Sequence, residues 1–91
     1  MDAKVIDIFK VTRGDIVIME FFRNARPFLG DILVDKSNHE WKIIEIATSN
    51  AIRVEKYKNL LHSNRVWDCT IVPIDHDKTL GIEEEVRIKK T

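Results

Sequence analysis

Val, Ile, Phe and Trp concentrate in short runs that turn signals interrupt at regular intervals, and this pattern limits the chain to an all-β fold. The runs are "KVIDIFKV" (residues 4–11), "IVIMEFF" (16–22), "ILV" (32–34), "WKIIEIAT" (41–48), "RVWDCTIVPI" (65–74) and "EEVRIKK" (84–90). Turn signals and polar connectors separate them, among them Thr12-Arg13-Gly14-Asp15, Arg23 to Pro27 and "DKSNHE" (35–40). About six short strands at such spacing are the signature of a small barrel or sandwich. Closure into a barrel also removes the exposed edges that invite aggregation.

Side-chain alternation places residues on faces. In the second run Ile16, Ile18, Glu20 and Phe22 share one face, and Val17, Met19 and Phe21 share the other. Both faces are largely apolar, as in a strand that curls inside a barrel or lies beneath a second layer. In the fourth run Trp41, Ile43, Glu45 and Ala47 are predicted on one face, opposite Lys42, Ile44, Ile46 and Thr48. In the fifth, Val66, Asp68, Thr70 and Val72 alternate with Trp67, Cys69 and Ile71, and Pro73 is expected to end the strand. Val54, Tyr57, Leu60 and Leu61 recur at helical spacing within residues 50–62, which predicts at most one helical turn there.

The stretch "RPFLGDILVD" (26–35) tests whether any loop here is built to hold a ligand. Gly30 accepts positive φ without steric cost, and Asp31 can bond nearby backbone. A phosphate cradle needs several converging backbone amides. One glycine beside a carboxylate does not supply them, so the stretch reads as a turn into a strand.

The order of these pieces resembles the β-barrel that follows the GTPase domain in translation factors such as elongation factor Tu. Phe9-Lys10-Val11, then Arg13-Gly14-Asp15-Ile16-Val17, then Leu29-Gly30-Asp31-Ile32-Leu33 fall where that family has its first strand, Gly turn and "G-D-x-L" turn. "WKIIEI", the segment "EKYKNLLHSNRVWDCTIVPI" and Leu80-Gly81 resemble its later strands and turn. Met19-Glu20 and Val66-Trp67 stand where the family has glycines, and the chain contains no "GxxxxGK[ST]" phosphate loop. The resemblance implies a barrel that docks on partners. It transfers no functional residue.

Ninety-one residues suffice for one domain spanning 1–91. Lys plus Arg and Asp plus Glu balance at 15 each, giving a net charge of zero. Nucleic-acid domains usually carry a basic excess, and near-zero charge leaves little repulsion between copies. Cys69 is the only cysteine, so neither an internal disulfide nor a thiolate metal cluster can form. A cytoplasmic protein is expected: no signal-peptide pattern and no apolar run long enough to span a bilayer is present.

His39, His62 and His76 lie in polar stretches and read as solvated surface residues. Their spacing, even with Cys69, Asp75 and Asp77, is not that of a metal site, so no metal or cofactor is expected. Cys69 reads as a small buried hydrophobe within a strand. Trp41 and Trp67 read as core, with a ligand-stacking platform as the alternative. Arg53, Lys56, Lys58 and Arg65 oppose only Glu55 and form the candidate partner-binding patch, while Arg13, Arg23 and Arg26 gather in the early turns.

These features are compatible with three functional readings. The first is a non-catalytic binding module, with a protein partner ranked ahead of RNA. The second is a small enzyme or ligand-binding protein using Cys69 and a histidine. The third is a structural or self-assembling domain. No catalytic residue is assigned.

Overall fold

The computed structural model describes residues 1–47, 55–59, 61 and 65–90. Among the described residues six strands form in chain order: β1 (Ala3–Val11), β2 (Gly14–Phe21), β3 (Ile32–Val34), β4 (Glu40–Ala47), β5 (Val66–Ile74) and β6 (Glu85–Lys89). They close into an antiparallel ring in the order β1-β2-β5-β4-β3-β6. Pairing of Ala3 with Val86 and of Lys4 with Glu85 completes the closure. The all-β expectation holds, and a single helical turn, residues 55–57, is present among the described residues.

The interior follows from alternation. Val17, Met19 and Phe21 of β2 point inward with Cys69 and Ile71 of β5, Trp41 and Ile43 of β4, Leu33 of β3 and Val86 of β6. Trp67 packs on this core only partly buried, edge-on to Phe21 at 5.5 Å. Trp41 is wholly inside.

The opposite face of β2 is buried as well. Ile18 is fully buried and packs with Ile6 and Val66 beneath Tyr57 and Leu61. The helical turn thus supplies the second layer that the two apolar faces of β2 require. Tyr57 is fixed there by its hydroxyl, which donates to Asp7 Oδ2 at 2.6 Å.

Two sequence expectations change. In β4 the register shifts between Ile43 and Glu45. This β-bulge puts Trp41, Ile43 and then Ile46 against the core, leaving Glu45 and Ala47 outside. Pro73 does not end β5, which runs to Ile74. Pairing with β2 stops at Ile71, so at Pro73 the strand has β4 on one side only, a place where a missing N–H costs no ladder bond.

Two long connections cap the barrel. β2 and β3 are not neighbours in the ring, so residues 22–31 cross one end of the barrel, passing Asp2 and Lys90. The connection from β5 to β6 crosses the other end and inserts Leu80 into the core. No helix among the described residues is long and apolar enough to cross a membrane.

Candidate functional site

The residues crossing the first barrel end build a fixed turn. Arg23 stands at φ 57°, and Ala25 N–H donates to the Phe22 carbonyl. Pro27 is buried. Asp31 closes the turn from both sides: its Oδ2 accepts from Phe28 N–H at 3.0 Å, and its own N–H donates to the Phe28 carbonyl. Gly30, at φ 86°, donates its N–H to the Ile43 carbonyl, which ties the turn to β4. The turn reading of "RPFLGDILVD" therefore stands: the amides of Phe28, Gly30 and Asp31 are all committed within the fold and none is presented to an anion.

The same bonds push apolar side chains outward. Leu29 is 68% exposed and Phe28 49%. Cations flank the Phe28 ring, with the Arg26 guanidinium carbon 4.6 Å and Lys90 Nζ 4.4 Å from its centroid. Lys90 is held by the buried Asp31 carboxylate at 2.7 Å. Beside the ring lies a hollow of about 200 Å³ with Asn24 and Ile88 in its wall. An aromatic ring bracketed by two cations and a bare leucine suit a surface combining apolar side chains with carboxylates.

The basic residues singled out by sequence do not converge in this way. Lys58 pairs with Glu55 at 2.9 Å, and Lys56 lies over the Tyr57 ring. Arg65 turns inward, donating to the Ala25 carbonyl at 2.7 Å and stacking over Trp67. Arg53 and His62 lie outside the described residues. Arg13 bonds Glu45, whose carboxyl is lowered by the Arg13 guanidinium.

Cys69 sits inside the barrel, level with Val17 and Ile46. Burial, with the nearby carboxylates of Asp68 and Asp31, pushes its thiol up to about 12. A thiol held that high is not a nucleophile at neutral pH.

The histidines are the largest departure from the sequence reading. His39 and His76 are partly buried and gather at the other barrel end on Trp41, with ring centroids 5.2 Å apart and His76 4.7 Å from the indole. Lys78 N–H donates to His76 Nδ1, so His76 Nε2 carries the proton and donates to the Glu40 carbonyl at 2.8 Å. His39 Nδ1 meets Asp35 Oδ2 at 3.1 Å, and Trp41 Nε1 donates to the Lys78 carbonyl. Trp41 pairs with Pro73, four residues along β5 from Cys69, or roughly 13 Å at strand rise. The cluster locks loops; it does not face the thiol. Among the described residues no group of three or more His, Cys, Asp or Glu side chains could hold a metal ion.

A second hollow, about 420 Å³, opens next to this cluster between Asp35 and the residues leading into β6. Its wall carries Ile82, 59% exposed, and the carboxylates of Glu83 and Glu85. The turn beneath is firm: Gly81 N–H donates to Glu84 Oε1, and Glu83 N–H to the Val5 carbonyl.

Comparison of the chain with protein-family models, curated proteins and solved structures returns no match.

Proposed function

We propose that this domain is a non-catalytic binding module that engages a protein through the Arg26–Leu29 turn. The observation that carries the reading is the pairing of strong exposure at Phe28 and Leu29 with a turn whose Phe28, Gly30 and Asp31 amides are all hydrogen-bonded within the fold. Such side chains are presented to a partner at little ordering cost. The resemblance to the translation-factor barrel, a docking domain, agrees with it. RNA ranks second, because the net charge is zero and Lys58 and Arg65 are engaged internally. The setting proposed is the cytoplasm, consistent with a single, free and buried cysteine.

The test is quantitative affinity capture from native lysate, with and without ribonuclease. Wild-type chain is compared with Phe28→Ser/Leu29→Ser and with Lys56→Ala/Lys58→Ala. The proposal expects protein capture that survives ribonuclease and the lysine pair but is lost with the turn variant. Capture that vanishes with ribonuclease or the lysine pair, and ignores the turn, would reverse the ranking.

A further inference from the structure

We infer that the partner of the Arg26–Leu29 turn is the Ile82 hollow of a second copy of this chain, an inference that rests on the binding-module reading above. Charge is sorted along β6 and its flanks: Glu83, Glu84 and Glu85 precede Val86, and Arg87, Lys89 and Lys90 follow it. β3 lies antiparallel to β6, with Ile32 opposite Lys89 and Val34 opposite Arg87. The turn therefore enters β3 beside Lys89 and Lys90, and Asp35 leaves β3 past Arg87 toward the glutamates that precede Val86. Of the three cations that follow Val86, Arg87 and Lys89 bond back to Asn38 and Glu40, and Lys90 stays with the turn on Asp31. Lys90 and Arg26 therefore stand at one end of β6 and Glu83 to Glu85 at the other, roughly 13 Å apart along the strand at strand rise.

Apolar exposure falls on the same two places. Leu29, Ile82 and Phe28 are the three most exposed large hydrophobic side chains among the described residues. Leu29 and Phe28 form a projection flanked by Arg26 and Lys90, with Arg23 exposed on the same connection. Ile82 lies in a hollow walled by Asp35, Glu83, Glu84 and Glu85 against the single cation Lys36, and its volume of about 420 Å³ is within the range that receives bulky groups. Projection meets hollow, apolar meets apolar, and cation meets carboxylate. The zero net charge means that copies approach without long-range repulsion.

The two surfaces differ, so the contact is heterologous. Each copy that docks its turn leaves its own hollow open to the next. Association proceeds head to tail and does not stop at a two-fold dimer.

Sedimentation velocity on the full chain tests this, from about 10 µM to 1 mM. At low salt the sedimentation coefficient should climb with concentration past the dimer value. At ~0.5 M salt, where the Debye length is only about 4 Å, the climb should shrink sharply. Arg23→Glu/Arg26→Glu and Glu83→Lys/Glu85→Lys should each be monomeric alone. Mixed in equal amounts, they should sediment faster than either, because the intact turn of one meets the intact hollow of the other. A wild-type chain that stays monomeric at low salt, or a mixture no faster than its parts, overturns the inference. If that monomer still captures a different protein through Phe28 and Leu29, only self-association fails. If capture ignores the turn, the binding-site reading fails with it.

Discussion

Replacing Ile18 with alanine tests the second layer outside the barrel. In a plain barrel an outward-facing residue of β2 meets water, and its truncation changes stability by less than about 0.5 kcal/mol. Here Ile18 is fully buried against Ile6, Val66 and Tyr57. Removing three carbons at ~0.8 kcal/mol each loses about 2.4 kcal/mol of transfer free energy. An unfilled cavity would raise the cost toward 5 kcal/mol, the upper end of roughly 2–5 for such truncations. The covering segment is a single helical turn tied down through the bond from Tyr57 to Asp7, so it can settle inward. The expected cost is therefore about 2–3 kcal/mol. Urea unfolding should show a lower midpoint at an unchanged slope. In a Tyr57→Ala background the same substitution should cost less, with a coupling of about 0.5 kcal/mol or more. A cost below ~0.5 kcal/mol, additive with Tyr57→Ala, would refute the second layer.

Further outcomes rest on single groups. Gly14 stands at φ 152°, and an added Cβ would collide with the Ile71 carbonyl oxygen; Gly14→Ala should cost about 1–3 kcal/mol in urea unfolding, and a neutral result would contradict that contact. The thiol of Cys69, buried and pushed up to about 12, should resist a disulfide reagent in native protein and react at once in guanidinium; rapid native labelling would show that the barrel opens there. Burial raises the Asp35 carboxyl, but bonds from the His39 and Ser37 amides and the His39 ring outweigh it and hold the group below its ordinary 3.8. A depressed folded value means stabilisation that is full above the unfolded value and lost as pH falls through the folded one. Urea midpoints of wild type should thus drop more steeply below about pH 4 than those of Asp35→Asn, and parallel curves would disprove the role.

Legibility in the sequence differs from element to element. β3 coincides with the run at residues 32–34, and the inward set of β5 is the set that alternation gives, because strand periodicity is local. The far half of β4 departs from simple alternation, since the bulge after Ile43 is defined by the pairing with β5 and leaves no trace in β4 alone. The apolar outer face of β2 signals a second layer without naming it. The histidines mislead, because His39 and His76 are polar-loop residues whose loops converge only when Trp41 brings β4 beneath both. The Arg26–Leu29 turn is legible as a turn, but its outward-facing side chains depend on bonds to Ile43 and Lys90, contacts that no local pattern reveals.

The central claim, that the Phe28–Leu29 projection is where a protein docks, is tested most directly by a photo-reactive phenylalanine placed at position 29. Irradiation of the full chain in native lysate, with mass spectrometry of the adducts, identifies what touches that side chain. The expected result is a peptide adduct, and specifically one containing Ile82 to Glu85 of a second copy. Adducts to RNA, or reaction with water and nothing else, would contradict it.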